Sequence, residues 1–224
     1  HESAVDVIRS HLKDYDACII GPGLGREPST KHFLDRLLFE NTQQKAQIGF
    51  LHGAAGVKGS VSNLPPSVLD ADGLNLLAEM PGWAEKLPGN CVLTPHPGEM
   101  SRLTGLDIGE IQQERVGTAR SFSKKWGVVV VLKGAFTVVA EPGGDAAVIP
   151  IATPALARAG SGDVLTGVIG GMLAQGVEPF EAALAGAYLH GTAGKISMEV
   201  TGNAAGVIAT DITELLPSAM NEIL

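Results

Sequence analysis

The chain has 224 residues, of which 45% are apolar, 4% aromatic and 29 are glycine, with a net charge of −8. That length suits one large domain with a sizeable core, and the apolar, glycine-rich balance fits the tight helix–strand packing of α/β proteins. The acidic balance without a basic tract argues against a nucleic-acid partner. The opening residues lack a basic and an apolar leader region, and no apolar run reaches the ~18 residues of a bilayer span, so a cytoplasmic protein away from the membrane is expected.

In chain order, Ala17–Ile20 reads as a strand running into the glycine turn Gly21–Gly25. A helix is predicted from Ser29, with Phe33, Leu34, Leu37 and Leu38 on one face and Ser29 or Thr30 as its cap. Ile48–Leu51 and Ser67–Leu69 read as short strands, Asp72–Glu79 as a short helix and Cys91–Thr94 as a further strand. Cys18 and Cys91 lie in these apolar strands and read as buried free thiols of a reducing compartment. Met100–Leu103 and then Ile108–Trp126 read as helical, with Gly127 closing the second stretch. Val128–Leu132 is an apolar, β-branched run, the pattern of a strand buried on both faces. Thr137–Ala140 and Ala146–Pro150 form a predicted hairpin around Glu141–Asp145. Helices are predicted at 162–175, 179–200 and 204–216. This order gives one domain, a mostly parallel sheet with helices on both faces and a helical C-terminal third.

Four segments carry chemistry. In Gly160-Ser161-Gly162-Asp163 two glycines and a serine open a helix whose first N–H groups lack partners, which makes a cradle for a phosphate or an oxyanion. An acid beside an anion cradle repels the ligand unless it handles a proton or a metal; phosphoryl transfer, with Asp163 accepting the proton of a hydroxyl, is the economical reading. Lys133-Gly134-Ala135-Phe136-Thr137 follows the buried strand and suits a nucleotide phosphate or ribose, or is a plain turn. In Thr94–Glu99 two prolines bracket His96 at a strand end, where α/β sites gather; no second His or Cys stands at zinc-ligand spacing. Asp70, Asp72 and Asn75 follow another strand, where an acid either caps the next helix or orients substrate or Mg²⁺. Gly53–Ser60 is not a Walker A loop, and Gly21/Gly23/Gly25 is not the dinucleotide fingerprint.

Taken in order, Ile20–Gly25, Leu69–Asn75, Leu93–Glu99, Val131–Gly134, Ala159–Leu165 and Tyr188-Leu189-His190-Gly191 closely resemble the ADP/ATP-dependent NAD(P)H-hydrate dehydratase family. The resemblance runs from about Asp16 to Pro217 and implies a ribokinase-like three-layer α/β sandwich. It implies a lyase that repairs hydrated NADH or NADPH: the C6 hydroxyl is phosphorylated by ADP or ATP, with Mg²⁺, and phosphate is then eliminated. Asp163 is the implied base, with Gly160, Ser161 and Gly162 holding the phosphoryl group. Lys133–Thr137 and Gly162 are the implied nucleotide contacts, and Gly25, His96 and Asp163 those to the hydrate, with Asp72 and Asn75 alongside. A cytoplasmic homotetramer is implied as well. The chain opens close to the first glycine turn, so a single domain lacking its first strands and helices is expected, with an apolar sheet edge left exposed. A small-molecule kinase of the same fold, and a nucleotide-binding fragment without turnover, are the alternatives.

Overall fold

The computed structural model describes residues 2–40 and 64–222, so the strand expected over 48–51 and the segment Gly53–Ser60 lie outside the described residues. Six short strands form one sheet in sequence order: β1 (Cys18–Ile20), β2 (Ser67–Leu69), β3 (Cys91–Leu93), β4 (Val129–Leu132), β5 (Val138–Ala140) and β6 (Ala146–Val148). The first four run parallel, and β5 and β6 return antiparallel as the hairpin that the sequence predicts.

Period-two alternation splits the core between the two faces. Val130 and Leu132 of β4 point into one cluster with Leu69, Leu93 and Val138, while Val129 and Val131 point into another with Val68, Val92 and Val139. A strictly sequential order of parallel strands puts successive crossovers on one face. Accordingly α1 (Glu2–Leu12), α2 (Pro28–Phe39), α3 (Asp72–Ala78), α4 (Pro97–Thr104), α5 (Ile108–Gln113) and α6 (Arg115–Trp126) cover the first face. The other is covered by α7 (Ser161–Leu173) and α8 (Pro179–Thr201), with α9 (Ala209–Glu214) and α10 (Leu216–Asn221) packed outside them.

Several boundaries differ from the sequence reading. Pro28 starts α2 and Glu27 is its N-cap without a side-chain bond, so neither Ser29 nor Thr30 caps it. The stretch 108–126 is two helices, broken at Glu114 (φ −132°, ψ 54°), whose carboxylate turns back to accept from the Gly117 amide. The stretch 204–216 is a short 3₁₀ turn followed by α9, with α10 beyond. Gly127 closes α6 in the left-handed conformation, as expected. Both cysteines are free, Cys91 fully buried and Cys18 partly so.

Candidate functional site

The carboxyl ends of the parallel strands meet the N-terminus of α7. At the end of β1, Gly21 has φ 127°, and a Cβ there would lie 1.9 Å from the Asp70 carbonyl oxygen, so only glycine lets these two strand ends approach. After β2 the backbone passes through Ala71 at φ 50°, an uncommon value for a residue with a side chain. The two acids flanking it serve different partners. Asp70 is buried; its Oδ1 pairs with Lys133 Nζ at 2.5 Å and its Oδ2 accepts from Thr166 Oγ1 of α7 at 2.9 Å. Asp72 stays partly exposed and accepts the Gly25 amide at 3.0 Å, which fixes the first glycine turn. The N-cap of α3 is Ala71, so neither acid caps that helix. Asn75 donates to the Ala71 carbonyl and accepts from Arg102 at 3.0 Å.

After β3, His96 is the N-cap of α4. Its Nδ1 accepts from the Gly98 and Glu99 amides, and Glu99 Oε2 accepts the His96 amide at 2.8 Å, a capping box held by Pro97. With Nδ1 an acceptor, the ring proton sits on Nε2. Glu99 is buried and its Oε2 lies 3.6 Å from Lys133 Nζ, so two carboxylates share one ammonium beneath the turn. Lys133 itself is braced from behind: Arg115 Nη2 donates to the carbonyls of Leu132 and Lys133.

Gly160 enters α7 at φ 82°, and no side chain caps the helix. The amides of Gly162 and Asp163 therefore have no acceptor among the described residues, which is the condition for an anion cradle. Ser161 is buried and its Oγ lies 3.0 Å from His190 Nε2 of α8. Burial pushes the His190 pKa down to about 4; a hydrogen bond to the Ser161 backbone acts against it, and the Lys133 charge adds a smaller downward effect. A cavity of about 690 Å³ opens here. Lys133, Gly134, Ala135 and Thr137 form one wall, and Ile149, Ile151, Leu156 and Leu165 form an apolar floor. Ser161 and Gly162 meet it from α7, Ala187 and His190 from α8, and His96 at the mouth.

The sequence-derived nucleotide segment thus lines the cavity except for Phe136, which is exposed at φ 55° and lies off the cavity wall. Gly25, Asp72 and Asn75 group at the ends of β1 and β2, outside that cavity, and Asp163 is exposed next to the lining residue Gly162. Lys133 reaches inward to Asp70 and Glu99 as well as lining the wall. Sequence reasoning missed Glu99, Arg115 and Thr166, and gave His190 no role. A Glu three residues past His96, a capping-box spacing, was the one local signal; the others act through contacts of 17 residues or more in sequence, such as Thr166 to Asp70.

A family model described as NAD(P)H-hydrate dehydratase matches residues 2–218. A bifunctional NAD(P)H-hydrate repair enzyme of Moorella thermoacetica is 39% identical over 220 residues, covering 98% of this chain and 37% of that protein. The chain therefore spans little more than a third of that relative. An ADP/ATP-dependent NAD(P)H-hydrate dehydratase of Bacillus subtilis, co-crystallized with ATP/Mg²⁺, superposes with a TM-score of 0.73 at 32% identity, over 94% of this chain and 65% of that one. A ribokinase-like superfamily protein of Enterococcus faecalis superposes with a TM-score of 0.74 at 25% identity, over 99% and 68%.

Proposed function

This chain belongs to the NAD(P)H-hydrate dehydratase family, and from that premise we propose that it dehydrates hydrated NADH or NADPH at the expense of ADP or ATP. The observation that carries the reading is the uncapped start of α7, with Ser161 and Gly162 on the wall of the 690 Å³ cavity and Asp163 exposed beside them. The nucleotide lies in the cavity, its base on the apolar floor and its terminal phosphate on the α7 amides. The hydrate approaches from the side of Gly25, His96, Asp72 and Asn75. Asp163 accepts the proton of the C6 hydroxyl as its oxygen attacks the terminal phosphoryl group, and the amides of α7 hold the charge that develops there. The nucleotide leaves one phosphate shorter. The ring-nitrogen lone pair then expels phosphate from C6, and loss of the C5 proton restores the dihydronicotinamide. Hydroxide is a poor leaving group and phosphate a good one, which is why a nucleotide is consumed.

Among the described residues no group of three His, Cys, Asp or Glu could cage a metal ion. Asp70 and Glu99 are buried against Lys133 and are not among the residues lining the cavity, so Mg²⁺ would enter carried on the nucleotide phosphates, where it would screen their charge. A homotetramer in the cytoplasm belongs to the same proposal and rests on the family resemblance; no described helix is long and apolar enough to cross a membrane.

The test is a product assay on hydrated NADH with ADP or ATP. The expected result is free phosphate together with recovered near-ultraviolet absorbance of the reduced nicotinamide. Accumulation of a phosphorylated acceptor would make the chain a kinase, and nucleotide binding without either product would overturn the assignment.

A further inference from the structure

Ser161 and His190 form a buried polar pair that the reaction as written does not use. Ser161 is the first residue of α7; its amide bonds to the Arg158 carbonyl at 3.3 Å and its side chain is 2% exposed. Its hydroxyl does not cap its own helix. Its one side-chain partner among the described residues is His190 Nε2, at 3.0 Å, and both residues line the cavity. No hydrogen bond to Nδ1 of His190 is formed among the described residues, and the Ser161 backbone, whose bond to the ring favours a ring N–H, lies on the same side as the hydroxyl of that residue.

A hydroxyl has one proton to donate and two lone pairs, and a neutral imidazole has one N–H and one lone pair. Two arrangements follow. With the proton on Nδ1, Ser161 donates to Nε2 and shows the cavity only lone pairs, which repel an anion. With the proton on Nε2, His190 donates to Ser161 Oγ, and the serine proton is free to point at whatever occupies the end of α7. His190 keeps the neutral ring that this choice requires, because burial and the Lys133 charge both oppose its protonation.

We propose that His190 is a positioning residue: by donating Nε2–H to Ser161, it turns the serine hydroxyl proton onto the terminal phosphate of the nucleotide, adding a side-chain donor to the backbone amides of the cradle. This rests on the nucleotide-site reading above. It gives the YLHG segment a function, and it makes the serine of Gly160-Ser161-Gly162-Asp163 a phosphate ligand in its own right.

Calorimetry with ADP and with adenosine tests it, since their difference isolates the hold on phosphate. Ser161→Ala is expected to lower ADP affinity about tenfold, the size of one hydrogen bond to a charged group, and to leave adenosine affinity unchanged. His190→Leu is expected to match that loss, and the double variant to lose no more than either single one. His190→Gln places an amide N–H near the position of Nε2–H and is expected to keep ADP affinity within about threefold of wild type. In the ADP complex of the wild-type protein, ¹⁵N-histidine NMR is expected to show Nε2 of His190 protonated. Unchanged ADP affinity in Ser161→Ala, equal losses for ADP and adenosine, or a proton on Nδ1 in the ADP complex would overturn the proposal. The last result needs no substitution and so stands even where His190→Leu fails to fold. A wild type that binds ADP more tightly than adenosine but does not dehydrate hydrated NADH would overturn the proposed function and leave this inference in place. A wild type that binds both equally would overturn both.

Discussion

Gly162 and Asp163 are neighbours on α7 with different surroundings. Asp163 is exposed and outside the Asp70–Lys133–Glu99 network, and in the proposed reaction it takes the hydroxyl proton. Asp163→Asn removes that capacity with little change of shape; turnover is expected to fall at least ~10²-fold, with ADP affinity largely kept, by steady-state assay and calorimetry. The Gly162 position has a different constraint from the one its sequence suggests. A glycine beside a phosphate cradle implies that a Cβ would strike the phosphate. In the structure a Cβ there points beneath the turn, 3.5 Å from both Asp70 Oδ2 and Lys133 Nζ. One carbon fits; the γ-methyls of valine do not. Gly162→Val is therefore expected to cost about 1–3 kcal/mol of folding stability by denaturant titration and to weaken ADP binding as well, while Gly162→Ala loses far less. The glycine-led start of α7 was legible, because glycines before an apolar helix are a local signal. The Asp70–Lys133 pair beneath it, spanning 63 residues, was not.

At the scale of elements, α7 and α8 owe their close contact to small residues. A Cβ on Gly186 of α8 would lie 2.6 Å from Cγ1 of Ile169, a fully buried and branched side chain on α7. Gly186→Ala is expected to destabilise the fold by about 1–3 kcal/mol in urea, despite the better helix propensity of alanine. The distance from Ser161 to His190 depends on the same packing, so some loss of ADP affinity accompanies it. The sequence revealed both helices by their length and small-residue faces, and β4 by its unbroken run of valines. It missed the break at Glu114, because a charged residue continues a helical pattern as well as it ends one. It also misassigned the start of α2, where Pro28 and not a hydroxyl residue sets the first turn.

For the whole molecule, strands and crossovers were readable but their order was not, since pairing depends on contacts between segments far apart in sequence. Among the described residues the sequential order leaves β1 at a sheet edge, with Ile19 46% exposed. It also brings the loops after β2 and β4 to α7, through Asp70 and Lys133. Global stability should register the buried histidine of this site. The His190 pKa is lowered from its ordinary 6.5 to about 4, so the unfolded chain takes up a proton that the folded one refuses. Its contribution is fully present above about pH 6.5 and is lost as pH falls toward 4. Urea unfolding at pH 7 and pH 4.5 is expected to differ by about 2 to 3 kcal/mol more in the wild type than in His190→Gln.

The split carboxylate of Asp70 has a consequence in time. One oxygen is bonded to the loop after β4 and the other to the second turn of α7, so the first turn of that helix is tied to the sheet before any nucleotide arrives. In the proposed reaction the conformational entropy of ordering the cradle is then lost once, when the chain folds, and not again in each cycle.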